Sequence, residues 1–450
     1  MQQYSSFTFD SYAFDPETGT ISLRYSLDDD VRFEETIILP QPESRVTNPD
    51  SLGRALRALH LIGGISYYKT CLPKTIEVRT GVLTEEEATF WNTVYEKGLG
   101  EFFFRNDIDF RGLIRFPSSQ QPPNQLTSKP ANEQTGNQQP TTNRILVPIG
   151  GGKDSIVTAE LLKKAGFSVT LLRIGAHPLI EQEAKIAGLP LLAVTRKLPP
   201  VLFRLNEEGA LNGHVPITAY LSFLSVVIAE LYGFDAVVMS NERSASVGNV
   251  SLHGMEVNHQ WSKSLEFERL FRSYVAESIG SGVEYFSLLR PLSELAIAQR
   301  FTKLPQYFGC TTSCNTNWKI VPKSKSRTLW CGSCPKCAFV FTLLAAFLPK
   351  ETLLTMFGKN LYEDAKLLPL YRQLLGLEGM KPFECVGTPE ETAAAFMLAR
   401  ERKEFAGTPV MKLFEEGVLP GIKNGKKLIA SLLEPAPDHC LPPTFKPLIL

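Results

Sequence analysis

The sequence has no excess of either charge. Lysine and arginine together number 47, and so do aspartate and glutamate, so the formal net charge of the 450 residues is zero. Without a positive balance there is no general attraction to nucleic acid or to an anionic membrane surface. We therefore expect no nucleic-acid partner, although a local basic patch is compatible with this composition.

Long hydrophobic runs are also lacking. The most apolar stretch, 219–239, contains Glu230, Gly233 and Asp235, which is typical of a buried helix, a turn and a strand rather than a membrane span. The first ten residues show no basic segment followed by an apolar core, so no signal peptide is evident. We expect a cytoplasmic protein that does not use the membrane.

Cysteine is scarce but clustered, which excludes a disulfide scaffold and indicates a reducing compartment. Five of the eight cysteines lie between 310 and 337. Cys314, Cys331, Cys334 and Cys337 offer two overlapping C-x-x-C spacings and one distant thiolate, a ligand set suited to tetrahedral Zn²⁺ with no open position. The pattern predicts a structural zinc site; redox or catalytic thiols, or unmetallated buried thiols, are the alternatives.

The chain is too long for one hydrophobic core. Residues 117–143 are rich in Pro, Gln, Asn, Ser and Thr and predict a disordered linker. It would separate an N-terminal α+β domain, 1–116, from a nucleotide domain, 144–350. In the first domain three β-rich runs, 7–14, 20–25 and 31–39, predict an antiparallel meander, and Thr84 with Glu87 has the spacing of a capping box. His60 has apolar neighbours, which favour a packed core histidine over a ligand. A C-terminal helical region, 351–450, follows; helix packing or dimerisation is its default role, and the oligomeric state is not evident.

The nucleotide domain alternates short apolar runs with helical periodicity. This βα rhythm predicts a parallel, doubly wound sheet with helices on both faces. Ligands of such sheets bind beyond the carboxyl ends of the strands, where the strand order reverses. Candidate functional residues are therefore expected at strand ends.

The most informative strand end is the run Gly150-Gly151-Gly152-Lys153-Asp154-Ser155 between an apolar strand and a helix. Three glycines remove every Cβ, so backbone amides and the helix N-terminus can close on a large anion. Lys153 adds a cation, Ser155 a hydroxyl for phosphate or metal, and Asp154 a carboxylate that predicts Mg²⁺. The spacing is not the Walker pattern. A glycine turn without a ligand is the alternative.

Polar residues also follow the strand at 236–240. Ser240 and Asn241 are candidate nucleotide ligands, Arg243 could neutralise a leaving diphosphate, and Glu242 could bind metal or move a proton. A solvated loop with an ion pair fits the same run. Further along, His259 and Lys263 are four residues apart and could face one site. His259 and His214 could equally be structural.

The glycine run resembles the Ser-Gly-Gly-x-Asp-Ser loop of the ATP-pyrophosphatase (PP-loop) family, with Gly150 in place of the first serine. The resemblance implies cleavage of ATP between its α- and β-phosphates and transfer of AMP to an oxygen. It also implies that adenine and ribose bind at the end of the second strand, near Gly175. Members that build deazaguanine carry a similar four-cysteine arrangement.

Over most of its length the chain resembles UDP-N-acetylmuramoyl-L-alanyl-L-glutamate epimerases. The segments that carry this resemblance are Leu59–Lys69, Gly98–Phe102, Gly150–Ser155, Ser240–Ser244, Asn258–Lys263 and Trp330–Cys337. It implies ATP-dependent epimerisation of the terminal L-glutamate to D-glutamate during peptidoglycan precursor synthesis, releasing AMP and diphosphate.

Two other functions stay open at this point. One is a tRNA- or nucleobase-modifying pyrophosphatase that uses Cys331 to Cys337 for structure or sulfur transfer, and the other is a nucleotide-binding regulator. For an epimerase, His259, Glu242, Lys263 and His214 are the candidates for proton transfer.

Overall fold

The computed structural model describes residues 4–40, 46, 48–119, 144–318 and 328–450. The predicted linker, 117–143, lies outside the described residues except for its first three positions. The predicted boundaries at 116, 143 and 350 stay predictions.

The strands are β1 Ser6–Asp15, β2 Thr20–Leu27, β3 Val31–Ile38, β4 Thr75–Val78, β5 Arg144–Pro148, β6 Ser168–Ile174, β7 Leu191–Lys197, β8 Ala236–Met239, β9 Val250–Leu252, β10 Met255–Val257 and β11 Glu284–Ser287. The helices are α1 Pro49–Gly63, α2 Ile65–Tyr68, α3 Glu85–Gly98, α4 Gly100–Arg105, α5 Lys153–Lys164, α6 Pro178–Ala187, α7 Pro200–Glu207, α8 Ile217–Tyr232, α9 Leu265–Tyr274, α10 Glu294–Phe301, α11 Pro335–Ala345, α12 Lys350–Phe357, α13 Leu368–Leu374, α14 Pro389–Glu401, α15 Pro409–Gly417 and α16 Gly425–Leu433.

The main sheet is mixed and rich in parallel strands, with the order β11-β8-β5-β6-β7-β3-β2-β1-β4. From β5 the chain moves outward to β6 and β7, then returns to β8 and β11 on the other side, and β5 pairs in parallel with β8. The direction in which successive strands are added to the sheet therefore reverses next to β5. A large α/β sheet was predicted from the βα rhythm, and it is confirmed.

The antiparallel meander predicted at the N-terminus is also confirmed, as β1–β2–β3. The sequence did not reveal that this meander joins the main sheet, where β3 pairs antiparallel with β7 and Ile37 lies opposite Arg196. Pairing between segments so far apart in the chain leaves no local pattern. The C-terminal region is helical as predicted, with α12 to α16.

The sequence predicts a long helix over 262–279, with Ser262 or Ser264 as its cap; Ser264 is the cap, and the predicted start at 262 is wrong. The side chain of Ser264 accepts a hydrogen bond from the amide of Phe267 at 3.1 Å, so it caps the helix and α9 begins only at Leu265. Residues Trp261–Lys263 form a separate 3₁₀ turn, and a π-helical turn, Val275–Ile279, follows α9.

The chain divides into two compact units. Unit 1 comprises Met1–Leu146, Ala193–Val237 and Leu270–Glu284, and unit 2 comprises Val147–Leu192, Val238–Arg269 and Tyr285–Leu450. In unit 1 the apolar face of α1 packs against α8. None of the helices in the described part of the chain combines the length and hydrophobicity needed to span a bilayer.

His60 lies in the core of unit 1, as its apolar neighbours predicted. It is fully buried, its ring stacks on Tyr25 with centroids 4.7 Å apart, and its Nε2 lies 2.8 Å from the carbonyl oxygen of Arg24. Burial lowers the pKa of His60 to about 4, although the contact with the Arg24 carbonyl opposes the shift. The imidazole is therefore neutral in the folded chain at neutral pH.

This burial predicts a pH-dependent stability. An unfolded histidine has a pKa of about 6.5, so the folded state binds fewer protons and loses stability as the pH falls from about 6.5 toward 4. Between pH 7 and pH 5 the cost from His60 is about 2 kcal/mol. Urea unfolding should show that His60→Asn has a lower free energy of unfolding than wild type at pH 7. Between pH 7 and pH 5, however, the free energy of unfolding of His60→Asn should fall by less than that of wild type. His253→Asn, at an exposed histidine, is the control. An unchanged pH dependence in His60→Asn would contradict this account.

Candidate active site

The glycine loop joins the carboxyl end of β5 to the first residue of α5. Gly151 has a φ of +79°, and its carbonyl accepts a hydrogen bond from the amide of Thr312 at 2.8 Å. At Gly152, the N-cap, no side chain in the described part of the chain caps the helix. A Cβ at Gly150 would meet nothing within 4 Å, so space is open beside the loop. These features fit an anion at the helix N-terminus.

Lys153 and Asp154 begin α5, and the lysine is almost fully buried, with 4% of its side chain exposed. Its Nζ contacts carboxylate oxygens of Asp154 and Glu294. The Ser155 hydroxyl donates to the Gly152 carbonyl at 3.2 Å. The predicted roles of these side chains toward phosphate and metal stay predictions.

Glu294 is the anionic centre of this part of unit 2, and sequence analysis missed it. It is the first residue of α10, only 1% exposed, and its second oxygen lies 3.5 Å from Nζ of Lys336. Burial alone would raise the pKa of Glu294, but the ammonium groups of Lys153 and Lys336 lower it to about 2. A glutamate in a first helical turn is common as a dipole partner, so no local signal singles it out.

The polar run after β8 lies in the same unit. The carbonyl of Asn241 accepts a hydrogen bond from Ser287 Oγ at 2.6 Å, and the carbonyl of Glu242 accepts one from Arg290 at 2.6 Å. The buried Oγ of Ser240 has no hydrogen-bond partner among the residues described. Arg243 is partly exposed, and its amide donates to the Leu292 carbonyl at 2.9 Å. The backbone is thus fixed, while the Ser240 hydroxyl remains available to a ligand.

The Glu242 side chain is buried, and its environment opposes ionisation. Burial raises its pKa first, and the Glu294 and Asp154 carboxylates add to the effect. The ammonium groups of Lys263 and Lys336 limit the rise, so the pKa is about 7. A carboxyl group with such a pKa can give or take a proton near neutral pH.

His259 and Lys263 face one group, as their spacing suggested. That group is the thiol of Cys385, whose Sγ lies 3.2 Å from Nζ of Lys263 and also interacts with His259. The 3₁₀ turn at Trp261–Lys263 begins two residues after His259 and precedes the capped start of α9. Like Glu294, Cys385 is a residue that the sequence analysis did not single out.

Gly175 and His214 are the two candidates that remain. Gly175 follows β6 with a φ of +77°, and a Cβ there would meet nothing within 4 Å. Close by in the chain, Arg173 donates to the His177 carbonyl at 3.2 Å. His214 belongs to unit 1, where its Nδ1 lies 3.5 Å from an oxygen of Glu101.

The four predicted cysteine ligands converge in unit 2, and their Sγ atoms all lie within 4.8 Å of one another. Cys337 Sγ is 3.7 Å from that of Cys331 and 3.4 Å from that of Cys334. Tetrahedral zinc with Zn–S bonds of about 2.3 Å places its sulfurs about 3.8 Å apart. Backbone amides donate to the sulfurs of Cys314 and Cys334, which favours the thiolate form. The donor set therefore fits a closed tetrahedral metal site.

Unit 2 thus combines three features: a glycine loop at a strand end of an α/β sheet, a buried cluster of carboxylates and amines, and a four-thiol centre. Comparison with known proteins assigns the family. The chain matches the family models described as MurL N-terminal domain over residues 1–288 and MurL C-terminal domain over residues 310–427. The chain belongs to the MurL family.

Curated relatives agree with this assignment. The chain is 40% identical over 445 residues to the UDP-N-acetyl-alpha-D-muramoyl-L-alanyl-L-glutamate epimerase of Xanthomonas oryzae pv. oryzae, covering 98% of this chain and 96% of the relative. It is 39% identical over 452 residues to the protein of the same name from Micromonospora sp., covering 99% and 98%. The resemblance predicted from the sequence is confirmed. A more distant relative, 7-cyano-7-deazaguanine synthase 2 of Sulfurisphaera tokodaii, is 25% identical over 273 residues, or 54% of this chain and 55% of the relative.

Glu294→Gln tests the anionic centre. Removing this charge leaves two buried ammonium groups without their shared partner, so we expect the free energy of unfolding to fall by about 3–5 kcal/mol. Urea unfolding at pH 7 measures it, with Glu351→Gln, at an exposed glutamate of α12, as the control. A loss as small as that of the control would show that Glu294 contributes little to stability.

We propose that the four thiols hold zinc. Purified protein should contain about one Zn²⁺ per chain by elemental analysis. Cys334→Ser should lose most of the metal and melt at a lower temperature, because metal binding energy contributes to folding. Cys71→Ser, at a partly exposed cysteine of unit 1, should keep both properties. Metal-free wild-type protein whose melting is indifferent to added Zn²⁺ would refute the assignment.

Proposed function

We propose that this chain catalyses the ATP-dependent epimerisation of the terminal L-glutamate of UDP-N-acetylmuramoyl-L-alanyl-L-glutamate to D-glutamate. The observation that carries the proposal is the similarity, over nearly the whole chain, to two relatives that bear the name of this epimerase. The reaction would take place in the cytoplasm and would supply peptidoglycan synthesis. AMP and diphosphate would be the products formed from ATP.

The nucleotide part of the proposal assigns the sheet around β5 to the PP-loop type of doubly wound fold. The reversal of strand order next to β5, the uncapped start of α5 and the distant similarity to a deazaguanine synthase support it. Gly150, Gly151, Gly152 and Ser155 would bind the phosphates. Gly175, Ser240 and Asn241 would hold the rest of the nucleotide.

Two charged groups complete the phosphate site. Asp154, whose carboxylate is partly exposed, would hold Mg²⁺, which neutralises phosphate charge when bound. Lys153 and Arg243 would stabilise the leaving diphosphate. Because Lys153 is already paired with Glu294, its charge would be held in position beside the loop rather than recruited from solvent.

Activation of the substrate explains why ATP is used. The Cα proton of a glutamate residue is difficult to remove while the adjacent carboxylate is negative. Transfer of AMP to a carboxylate oxygen removes that charge and lets the acyl carbonyl accept the electron pair of the carbanion. A base then takes the proton, an acid returns one from the other face, and water releases AMP from the epimerised acyl group. The net consumption of ATP makes the conversion one-directional.

Four residues were candidates for proton transfer on sequence grounds. Glu242, with a pKa of about 7, and the pair His259 and Lys263 belong to unit 2 with the glycine loop. His214 belongs to unit 1 and is paired with Glu101. We favour Glu242, because it interacts electrostatically with Lys263 and with Asp154 at the start of α5.

A second candidate function is a nucleobase-modifying ATP pyrophosphatase. The similarity to 7-cyano-7-deazaguanine synthase 2 favours it, but only over about half of each chain. The two functions differ in a simple way, because only an epimerase requires the muramyl dipeptide for ATP consumption.

The decisive experiment is a chiral assay of glutamate after incubation with UDP-N-acetylmuramoyl-L-alanyl-L-glutamate, ATP and Mg²⁺. Wild-type protein should form D-glutamate and AMP together, and only when the dipeptide is present. Asp154→Ala should lower both rates by about 100-fold or more, because the metal-held charge on the phosphates is lost. Asp30→Ala, at an exposed aspartate of unit 1, should behave as wild type.

Two results would contradict the proposal. Consumption of ATP without the dipeptide would favour the nucleobase-modifying function. Binding of ATP with no release of diphosphate under any condition would indicate a regulator.

A further inference from the structure

The thiol of Cys385 is a reactive group of this site that the proposed function leaves unused. It lies between α13 and α14, and it is separate from the four cysteines of the metal centre. Its Sγ is 3.2 Å from Nζ of Lys263, and the thiol also interacts with the side chain of His259. The residue is partly exposed.

The segment that carries Cys385 is held in place from three directions. Lys336, in the first turn of α11, donates from its Nζ to the Cys385 carbonyl and from its amide to Glu384 Oε2 at 3.1 Å. The side-chain amide of Gln260 donates to the Val386 carbonyl at 3.4 Å. Asn249 Nδ2 donates to the Pro382 carbonyl at 2.9 Å. The thiol is therefore positioned by contacts on both sides in the chain.

The charged groups around the sulfur favour its ionised form. Desolvation opposes ionisation, but Lys263, His259 and Lys336 outweigh it and lower the pKa of Cys385 to about 5. Lys381 and Glu384, on the same segment, also interact with the thiol. At neutral pH the group is a thiolate, which is a base and a nucleophile.

A carboxyl group whose pKa is raised rather than lowered also interacts with Lys263. Glu242 and Cys385 both interact electrostatically with Lys263. The same cluster therefore raises the pKa of a carboxyl group and lowers that of a thiol. The usual order of the two pKa values is therefore reversed, with the thiol below the carboxyl group, which suits the thiol to act as the base and the carboxyl group as the acid.

We propose that Cys385 is a catalytic proton-transfer residue of the epimerisation, with Glu242 as the acid on the other face and Lys263 as a positioning residue. The inference rests on the proposed function. The thiolate takes the Cα proton of the activated glutamyl group: the C–H bond breaks, an S–H bond forms and the electron pair moves to the acyl oxygen. The carboxylic acid of Glu242 then gives its proton to Cα, and the electron pair returns from oxygen to form the new C–H bond. Exchange with water restores the thiolate and the carboxylic acid.

The test separates activation from epimerisation. Cys385→Ala and Cys385→Ser should keep dipeptide-dependent AMP formation within about 3-fold of wild type. The rates of D-glutamate formation and of deuterium uptake at Cα from D₂O should fall by about 100-fold or more. Cys71→Ser is the matched control and should retain all three activities.

Each outcome has a distinct meaning. If wild-type protein forms neither D-glutamate nor dipeptide-dependent AMP, the proposed function itself fails. If wild type epimerises and Cys385→Ala does so at a similar rate, Cys385 is not a proton-transfer residue. A folded Cys385→Ala protein that loses AMP formation as well would place the thiol in binding or activation, and would also overturn the proposal.

Alkylation of the wild-type protein gives a test that does not depend on the folding of a variant. Iodoacetamide should modify Cys385 at pH 6, as followed by peptide mass spectrometry, and the dipeptide with ATP should protect it. In Lys263→Gln the pH of half-maximal modification should rise by about one unit or more, because the paired charge is lost. A thiol that reacts only above about pH 8 in the wild type, without protection, would contradict the proposal.

Discussion

The interaction on which this site depends is the contact of Glu294 with two buried lysines. Lys153 begins the helix after the glycine loop, and Lys336 lies in the first turn of α11. Neither ammonium group could be buried without a carboxylate, because an unpaired charge in the protein interior costs several kcal/mol. One glutamate at the start of α10 therefore fixes the first turns of two other helices. The ion pair thus holds the first residue of α5, the helix that follows the glycine loop.

The four-cysteine centre lies next to the same cluster in the chain. Cys334 and Cys337 flank Lys336 in the chain, so a metal held by these thiolates would fix the start of α11 and with it the lysine. Lys336 in turn contacts Glu294 and the carbonyl of Cys385. A site with no open coordination position can thus serve the chemistry without touching the substrate. The four cysteines and the buried charged groups are therefore connected through Lys336.

Local patterns in the sequence predicted the features that depend on neighbouring residues. The glycine loop, the meander and the capping box of Thr84 and Glu87 were evident, and the structure contains all three. The four cysteines were also recognised, because metal ligands are constrained in both residue type and spacing.

The residues that sequence reasoning missed depend on contacts between distant segments. Glu294 and Cys385 belong to no motif, and an isolated cysteine or a glutamate in a first helical turn is common in any chain. Lys336 lies within the cysteine motif, but its spacing does not identify its partners. They become informative only when the fold brings them to Lys153 and Lys263. The pairing of β3 with β7 was missed for the same reason. Tertiary contacts, rather than local preference, select the partners of these groups.

Two glutamates in this cluster show how the fold assigns different chemistry to the same side chain. Glu294 meets two ammonium groups, so its pKa falls to about 2 and it stays a permanent anion. Glu242 is equally buried, but the charge of Glu294 acts against its ionisation and its pKa rises to about 7. The anion that stabilises the lysines therefore also keeps a second carboxyl group ready to exchange a proton. Because the charge of Glu294 acts on both the lysines and Glu242, a change at Glu294 is expected to alter both the stability of the cluster and proton transfer by Glu242.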